Sequence, residues 1–370
     1  MRKLSRSLLV VIAATASVAF SLVGAPAQAA GATRTIASGL DNPRGLTFGP
    51  DGSLYVAEAG RGGTEPCITG PEGEEVCWGS SGAITRIGHG GTKRVVKGLG
   101  SLANRDGSSA IGPSDVSFAG KHMYFTVGLG ADPAVRNDLP KRGQQTNGWL
   151  LHGSKHKLSA EQVADIAGFE ARRDPDRAGP DSNPNSLLAT RHGQVVVDAG
   201  GNTLLWVTRS GRIFKIAQFP TRNVPAPPEL GEPAGTEIPM QAVPTSVVWG
   251  PDGALYVGQL TGFPFPKGEA LVYRVVPGKK PTVYAKGFTN IIDIGFSGRN
   301  LYVLEISANG LLSGNPQGAL IKVGKGSTHK TVLSKGLTMP GGLAIRHGFG
   351  YVSNCSVCPG KGSVLRVRLH

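Results

Sequence analysis

The sequence predicts an all-β chain assembled from six copies of one unit, and three observations carry that prediction. First, the stretch Gly39 to Gly60, GLDNPRGLTFGPDGSLYVAEAG, reads as strand, tight turn, strand. Leu46 and Phe48 alternate with Gly45 and Thr47, the period of a half-buried strand. Pro50 presets φ, Asp51 can bond its own backbone, and Gly52 tolerates positive φ. Second, the chain repeats this unit, with entries at Pro43, Pro113, Pro184, Pro244, Ile291 and Pro340. Third, several copies carry a later pair of apolar runs, from Gly82 and Lys93, from Leu271 and Pro281, and from Ala319 and Lys330. Four strands per unit, at a period of roughly 45 to 70 residues, is the signature of a blade. The expected fold is a six-bladed β-propeller.

In chain order, residues 1–30 read as a secretory signal peptide and residues 31–370 as one propeller domain. Arg2, Lys3 and Arg6 make a basic start, Leu8 to Val23 is mostly apolar, and Ala27-Gln28-Ala29 offers small-residue cleavage near Ala29 or Ala30. An uncleaved anchor is the rival reading. No later stretch is long and apolar enough to span a bilayer, so the mature chain is expected to be secreted. The run from Thr33 to Leu40 matches the fourth-strand pattern of the other units, and the sixth unit shows only three strands, near Gly342, Gly350 and Ser363. The N-terminal strand is therefore expected to complete the last blade and close the ring, leaving no open sheet edge.

Two units carry insertions. Ala131 to Asn147 is polar and Pro-bearing, and reads as a surface loop. Ser159 to Gln162 fits a capping box that could start a helix through Glu170; the alternative makes Val163 to Glu170 an outer strand. Pro220 to Pro239 reads as an extended loop between blades 3 and 4.

Net charge is +14, and falls to +11 once Arg2, Lys3 and Arg6 are removed. An exported basic protein is drawn to anionic partners such as envelope polymers. The basic residues are scattered, without runs or interleaved aromatics, which argues against nucleic acid. The sequence holds no Gly-x-Ser-x-Gly, no HExxH and no Walker-type loop.

Ligands are expected where the entry and exit loops of the blades ring the mouth of the channel. The entry column holds Arg44, Asp115, Asn185, Ser246 and Asp293; the second-strand exits hold Glu58, Asp198, Gln259, Glu305 and Asn354. Oxygen-only donors suit a hard cation such as Ca²⁺. The competing reading is that these polar side chains bond the loop backbone. Asp181 to Asn185, followed by Val197 to Asn202, combines short Asx side chains with glycines and suits a loop approached closely by a ligand. Glu58, beside the Cys67–Cys77 loop, is the expected centre of any chemistry. His152 and His156 have a metal-compatible spacing only on a helix.

Four cysteines in an exported chain read as disulfides. Local pairs Cys67–Cys77 and Cys355–Cys358 are expected, with crossed pairing or a Cys₄ zinc site as alternatives.

The strings GLDNPRGLTFGPDGSLYVAEAG, VADIAGFEARRDPD, DSNPNSLL, VVDAGGNTLLWV and PTSVVWGPDGALYVGQLTGFPF together resemble the ScyD/ScyE family of exported propellers. The resemblance implies a six-bladed propeller of NHL or TolB-like type and supplies no catalytic residues. More distantly, Pro184-Asn-Ser and the strand-end acids look like the gluconolactonase (SMP-30) superfamily, whose metal is held by Glu, Asn and Asp at the channel mouth. That likeness implies Asn185 and Asp293 as metal ligands, with Arg44 or Gly45 standing where the superfamily has its first-strand glutamate. The leading expectation is an exported propeller that binds a small molecule, glycan or protein on its loop face. The alternative is a metal-dependent, lactonase-like hydrolase.

Overall fold

The computed structural model describes residues 33–70, 73–154, 157–324 and 330–369. The signal-peptide segment, His156 and His370 lie outside the described residues. Six antiparallel blade sheets are described, five of four strands and the first of five. Their innermost strands are Pro43–Phe48, Pro113–Ala119, Pro184–Thr190, Pro244–Trp249, Ile291–Ser297 and Gly342–Arg346. These first strands pack against their neighbours around a central axis, and the later strands of each blade step outward. The last blade takes its outermost strand from the N-terminus: Arg34–Leu40 pairs antiparallel with Gly362–Arg368, Leu40 facing Gly362. The ring closes as the repeat count requires.

The turn that identifies the repeat is held by the same three side chains in blades 1 and 4. Asp51 Oδ1 accepts from the Ser53 amide, while Asp51 Oδ2 accepts from Tyr55 Oη and Arg86 Nε at 3.2 and 2.9 Å. Asp252 does the same with the Ala254 amide, Tyr256 and Arg274. The glycine that opens each turn, Gly49 or Gly250, is crossed by the tyrosine ring: a Cβ there would lie 2.5 or 2.0 Å from it.

The core is divided among the blade interfaces. Tyr55, Val96, Val116 and Phe125 fill the space between blades 1 and 2. Leu150, Ile166, Val196 and Leu205 join blades 2 and 3. Four further clusters serve the remaining interfaces, the last (Leu40, Val56 and Val364 among its members) sealing blade 6 to blade 1. Each fully buried Val, Leu or Phe contributes about 1.5–3 kcal/mol, so every interface holds its neighbours firmly.

Blade 1 extends beyond the ring as a long hairpin, Glu75–Gly88 with Gly91–Ala103, and a short strand Cys67–Thr69 pairs beside it. Both local disulfides form, Cys67–Cys77 and Cys355–Cys358, and no described cysteine is free.

Three local expectations are corrected. Ala131 to Asn147 is not a surface loop: it holds a 3-10 turn Pro133–Asp138 and a helix α1, Lys141–Thr146. Leu139 is buried with Val76 and Leu102 of the blade 1 hairpin, and Asn147, fully buried, accepts from Trp78 Nε1 at 3.2 Å. Polar residues here face inward because the hairpin supplies their partners. In the second insertion, strand and helix follow each other: Lys157–Asp165 is a strand, and helix α2 covers Ile166–Arg173. The cap is Asp165, whose carboxylate accepts the Gly168 amide at 2.8 Å, and Ser159 lies within the strand. Within Pro220 to Pro239, Arg222–Pro225 pairs with Glu237–Met240, so the loop is in part a hairpin. His152 also sits on a strand, where it meets His122 (3.4 Å between ring nitrogens).

Candidate functional site

The entry residues form a chain of bonds from blade to blade around the axis. Arg44 of blade 1 donates to the Ala110 carbonyl at the approach to blade 2 (2.7 Å). Asp115 of blade 2 accepts from Ser186 Oγ and the Leu187 amide of blade 3, both at 2.9 Å. Asn185 of blade 3 donates to the Thr245 carbonyl of blade 4, and Thr245 Oγ1 to the Ile291 carbonyl of blade 5. Asp293 of blade 5 accepts the Leu343 amide of blade 6, and Ser353 of blade 6 donates to the Arg44 carbonyl. Six contacts thus close the circle. Gly45 belongs to this device, since a Cβ there would lie 2.3 Å from Asp115 Oδ1.

The exit residues form a second repeated device. Glu58, Asp198, Glu305 and Asn354 each accept a backbone amide from the segment that crosses into their own blade: Asp41, Asn183, Thr289 and Thr338, at 2.6–2.8 Å. For Asp41 and Thr289 the amide would otherwise be buried without a partner. Glu58 is wholly consumed in this role. It is 0 % exposed and accepts from Asp41 N, Thr85 Oγ1 and, on both oxygens, Arg94. A carboxylate has about four acceptor positions, so none remains for a substrate. Gln259 departs from the pattern: it is buried, and both polar atoms of its side chain lack partners. Asn202 stands elsewhere, bridging Asp176 Oδ2 (2.7 Å) and the Val243 amide (2.8 Å).

The channel holds a cavity of about 340 Å³ between the inner strands, with Asp115 and Asp293 in its wall among apolar neighbours such as Phe48, Leu188 and Trp249. Both side chains are half-buried, facing the channel space on one side and packed by protein on the others. Burial raises Asp115 to about 6; burial, and then the charge of Asp115, raise Asp293 to about 8. Arg44 is pushed down to about 10 by burial. These residues do not fit the divalent cation that the gluconolactonase likeness implies. The oxygens of Asp293 each take a backbone amide, from Ile294 and Leu343, and a guanidinium occupies the first-strand position.

The open ground lies off the axis on the loop face. A cleft of about 540 Å³ runs between the loops of blades 2 to 5, over Asp181, Asn183, Gln241, Phe263, Phe265 and Leu312. Phe263 and Leu312 are 46 and 62 % exposed, and the two phenylalanine rings meet edge to face at 6.4 Å. Oδ1 of Asp181 and Oδ1 of Asn183 are buried in this wall without partners. Thr261 and Phe265 hold positive φ (80° and 54°), the bend that turns the rings outward. The expected Asx-rich segment is therefore at the cleft, through Asp181 and Asn183. Its aromatic wall was visible in the sequence only as the string LTGFPF, which has no periodicity to mark it. A second surface, a lateral groove of about 680 Å³, gathers Arg172, Arg173, Arg212 and Lys215 beside Phe214 and Trp149.

No known protein-family profile matches the chain, and no curated protein matches it. Solved structures do. A gluconolactonase from Xanthomonas campestris aligns over 92 % of each chain at TM-score 0.54 and 8 % identity. An oxidoreductase described as a glucose dehydrogenase, from Thermus thermophilus, covers 91 % of this chain and 99 % of its own at TM-score 0.53 and 17 % identity. A calcium-binding protein, regucalcin, from Agrobacterium tumefaciens covers 92 and 96 % at TM-score 0.50 and 10 % identity. At these identities the likeness shows the fold, a β-propeller, and nothing of the chemistry.

Proposed function

We propose that this protein is a ligand-binding propeller that recognises a hydroxyl-bearing amphipathic molecule, such as a glycan or glycoside, in the loop-face cleft between blades 3 and 4. The observation that carries this reading is the pairing of Phe263, Phe265 and Leu312 with the polar residues Asp181, Asn183 and Gln241 in the lining of one cleft. An aromatic wall stacks on the apolar face of a ring, and the polar side chains of the same lining bond its hydroxyls. Export and the ScyD/ScyE relationship are part of the same proposal; the two disulfides fit an oxidising compartment. No helix among the described residues is long and apolar enough to cross a membrane. The basic lateral groove supports association with an anionic envelope polymer.

Calorimetry of the mature chain against a panel of oligosaccharides and aryl glycosides tests the reading. Binding should be saturable and should weaken at least about tenfold in Phe263→Ala and in Asn183→Ala, the effect of about 1.4 kcal/mol at each contact. Binding that both substitutions leave intact would place the ligand elsewhere. The lactonase-like alternative predicts calcium binding lost in both Asn185→Ala and Asp293→Ala, and that result would restore it.

A further inference from the structure

One group of acids outside the channel has no counter-charge. Helix α2 ends at Arg173, Asp174 takes a left-handed conformation (φ 37°), and the chain turns back through Asp176. This turn brings carboxylate oxygens of Glu170, Asp174 and Asp176 within 4.8 Å of one another. Glu170 is 1 % exposed, and neither of its oxygens has a partner. Oδ1 of Asp174 and Oδ1 of Asp181 are likewise buried and unpartnered. Asp176 is oriented by the Ala178 amide and by Asn202 Nδ2, at 3.0 and 2.7 Å. No ion pair among the described residues reaches any of these four acids. Lys215 instead donates to the Pro175 carbonyl and to Gln218. The facing backbone is glycine: a Cβ on Gly201 would lie 2.5 Å from Glu170 Oε2, and one on Gly200 2.8 Å from Asp181 Oδ1.

A buried carboxylate without hydrogen bonds or an opposite charge is strongly unfavourable, and a bound cation removes that penalty. We infer that Glu170, Asp174 and Asp176, with Asp181 beside them, hold a hard divalent cation of the calcium class and tie the end of helix α2 to the segment that enters blade 3. An all-oxygen set selects a hard cation over zinc or copper. Calcium takes its ligands at about 2.3–2.6 Å, so oxygens on one ion lie at most about 5 Å apart, the spread found here. Asp181 also lines the loop-face cleft, so the cation stiffens one cleft wall; the site itself does not depend on what the cleft binds.

The test uses the mature chain, stripped with chelator and titrated with calcium chloride by calorimetry, with thermal melts in parallel. One equivalent should bind with Kd on the order of 10⁻⁴ M or tighter and raise Tm. Glu170→Gln should weaken binding at least about tenfold, since affinity follows ligand charge. In chelator its Tm should equal or exceed that of the wild type, because an unpaired buried acid is gone; this shows that the variant is folded. Asp174→Asn should weaken binding similarly, while Phe263→Ala and Asn185→Ala should leave it unchanged. The inference is overturned by absence of saturable binding to the wild type, by undiminished binding to Glu170→Gln, or by loss in Asn185→Ala instead.

Discussion

Arg94 bonds two acids at once: Glu58 on both oxygens, at 3.0 and 2.7 Å, and Asp41 at 2.8 Å. Asp41 follows the closing strand and Glu58 ends the second strand of blade 1, so one guanidinium ties the seam of the ring. Glu58 is 0 % exposed, and removing its partner leaves a buried charge. Arg94→Met should therefore destabilise the protein by about 3 kcal/mol or more, measured by denaturant unfolding. The double variant Glu58→Gln/Arg94→Met should recover part of that loss. A loss below about 0.5 kcal/mol would mean that the pair is energetically idle. The sequence shows Glu58 as one of a column of strand-end polar residues, but not that its bonds point inward. The tie between Arg94 and Glu58 spans 36 residues, and no local pattern encodes it.

At the scale of elements, the N-terminal strand is the clearest case. Thr33 to Leu40 was readable as a fourth strand because TRTIASGL repeats the pattern of KTVLSKGL, and Arg34–Leu40 indeed completes the last sheet. Deleting residues 33–40 should open the edge of Gly362–Arg368 and expose Val364 and Val56. The expected outcome is aggregation, or a Tm lower by about 10 °C or more, as losses of several kcal/mol shift a melt. An unchanged melt would show that the ring does not depend on closure. The insertions were less legible. Leu139 and Asn147 are isolated within a polar stretch, and they are buried only because the blade 1 hairpin lies over them. Across Lys157–Asp165 the alternation and the capping signal competed, and sheet pairing with Trp149–Ser154 decided for strand up to Asp165.

For the whole molecule, six interfaces of similar make-up share the stability, and the channel between them carries its own pH dependence. Asp115 and Asp293 stand on opposite blades, with carboxyls raised by burial to about 6 and about 8. In the unfolded chain both ionise near pH 4. Between about pH 4 and pH 8 the folded state thus holds protons that the unfolded state has released, so stability falls as pH rises. Thermal melts across that range should decline toward pH 8, and Asp293→Asn should flatten the part above pH 6. Glu170, raised to about 8 by burial and then by its acidic neighbours, adds to the same slope in chelator. A Tm that rises steadily to pH 8 would contradict the raised carboxyls. The repeat, the strand alternation, the turn chemistry and the closing strand are legible in the sequence, whereas the choice of local over crossed disulfides is made by the fold. The legible features are periodic or close in sequence, so neighbouring residues carry them. Tertiary structure alone decided what the polar residues do. Asp115 meets Ser186 across 71 residues, and Glu170 faces Gly201 across a blade. Such meetings depend on how one blade stacks on the next. Stacking turned the predicted ring of ligands into the bonds that join the blades, and it left the unsatisfied oxygens at the cleft and beside helix α2.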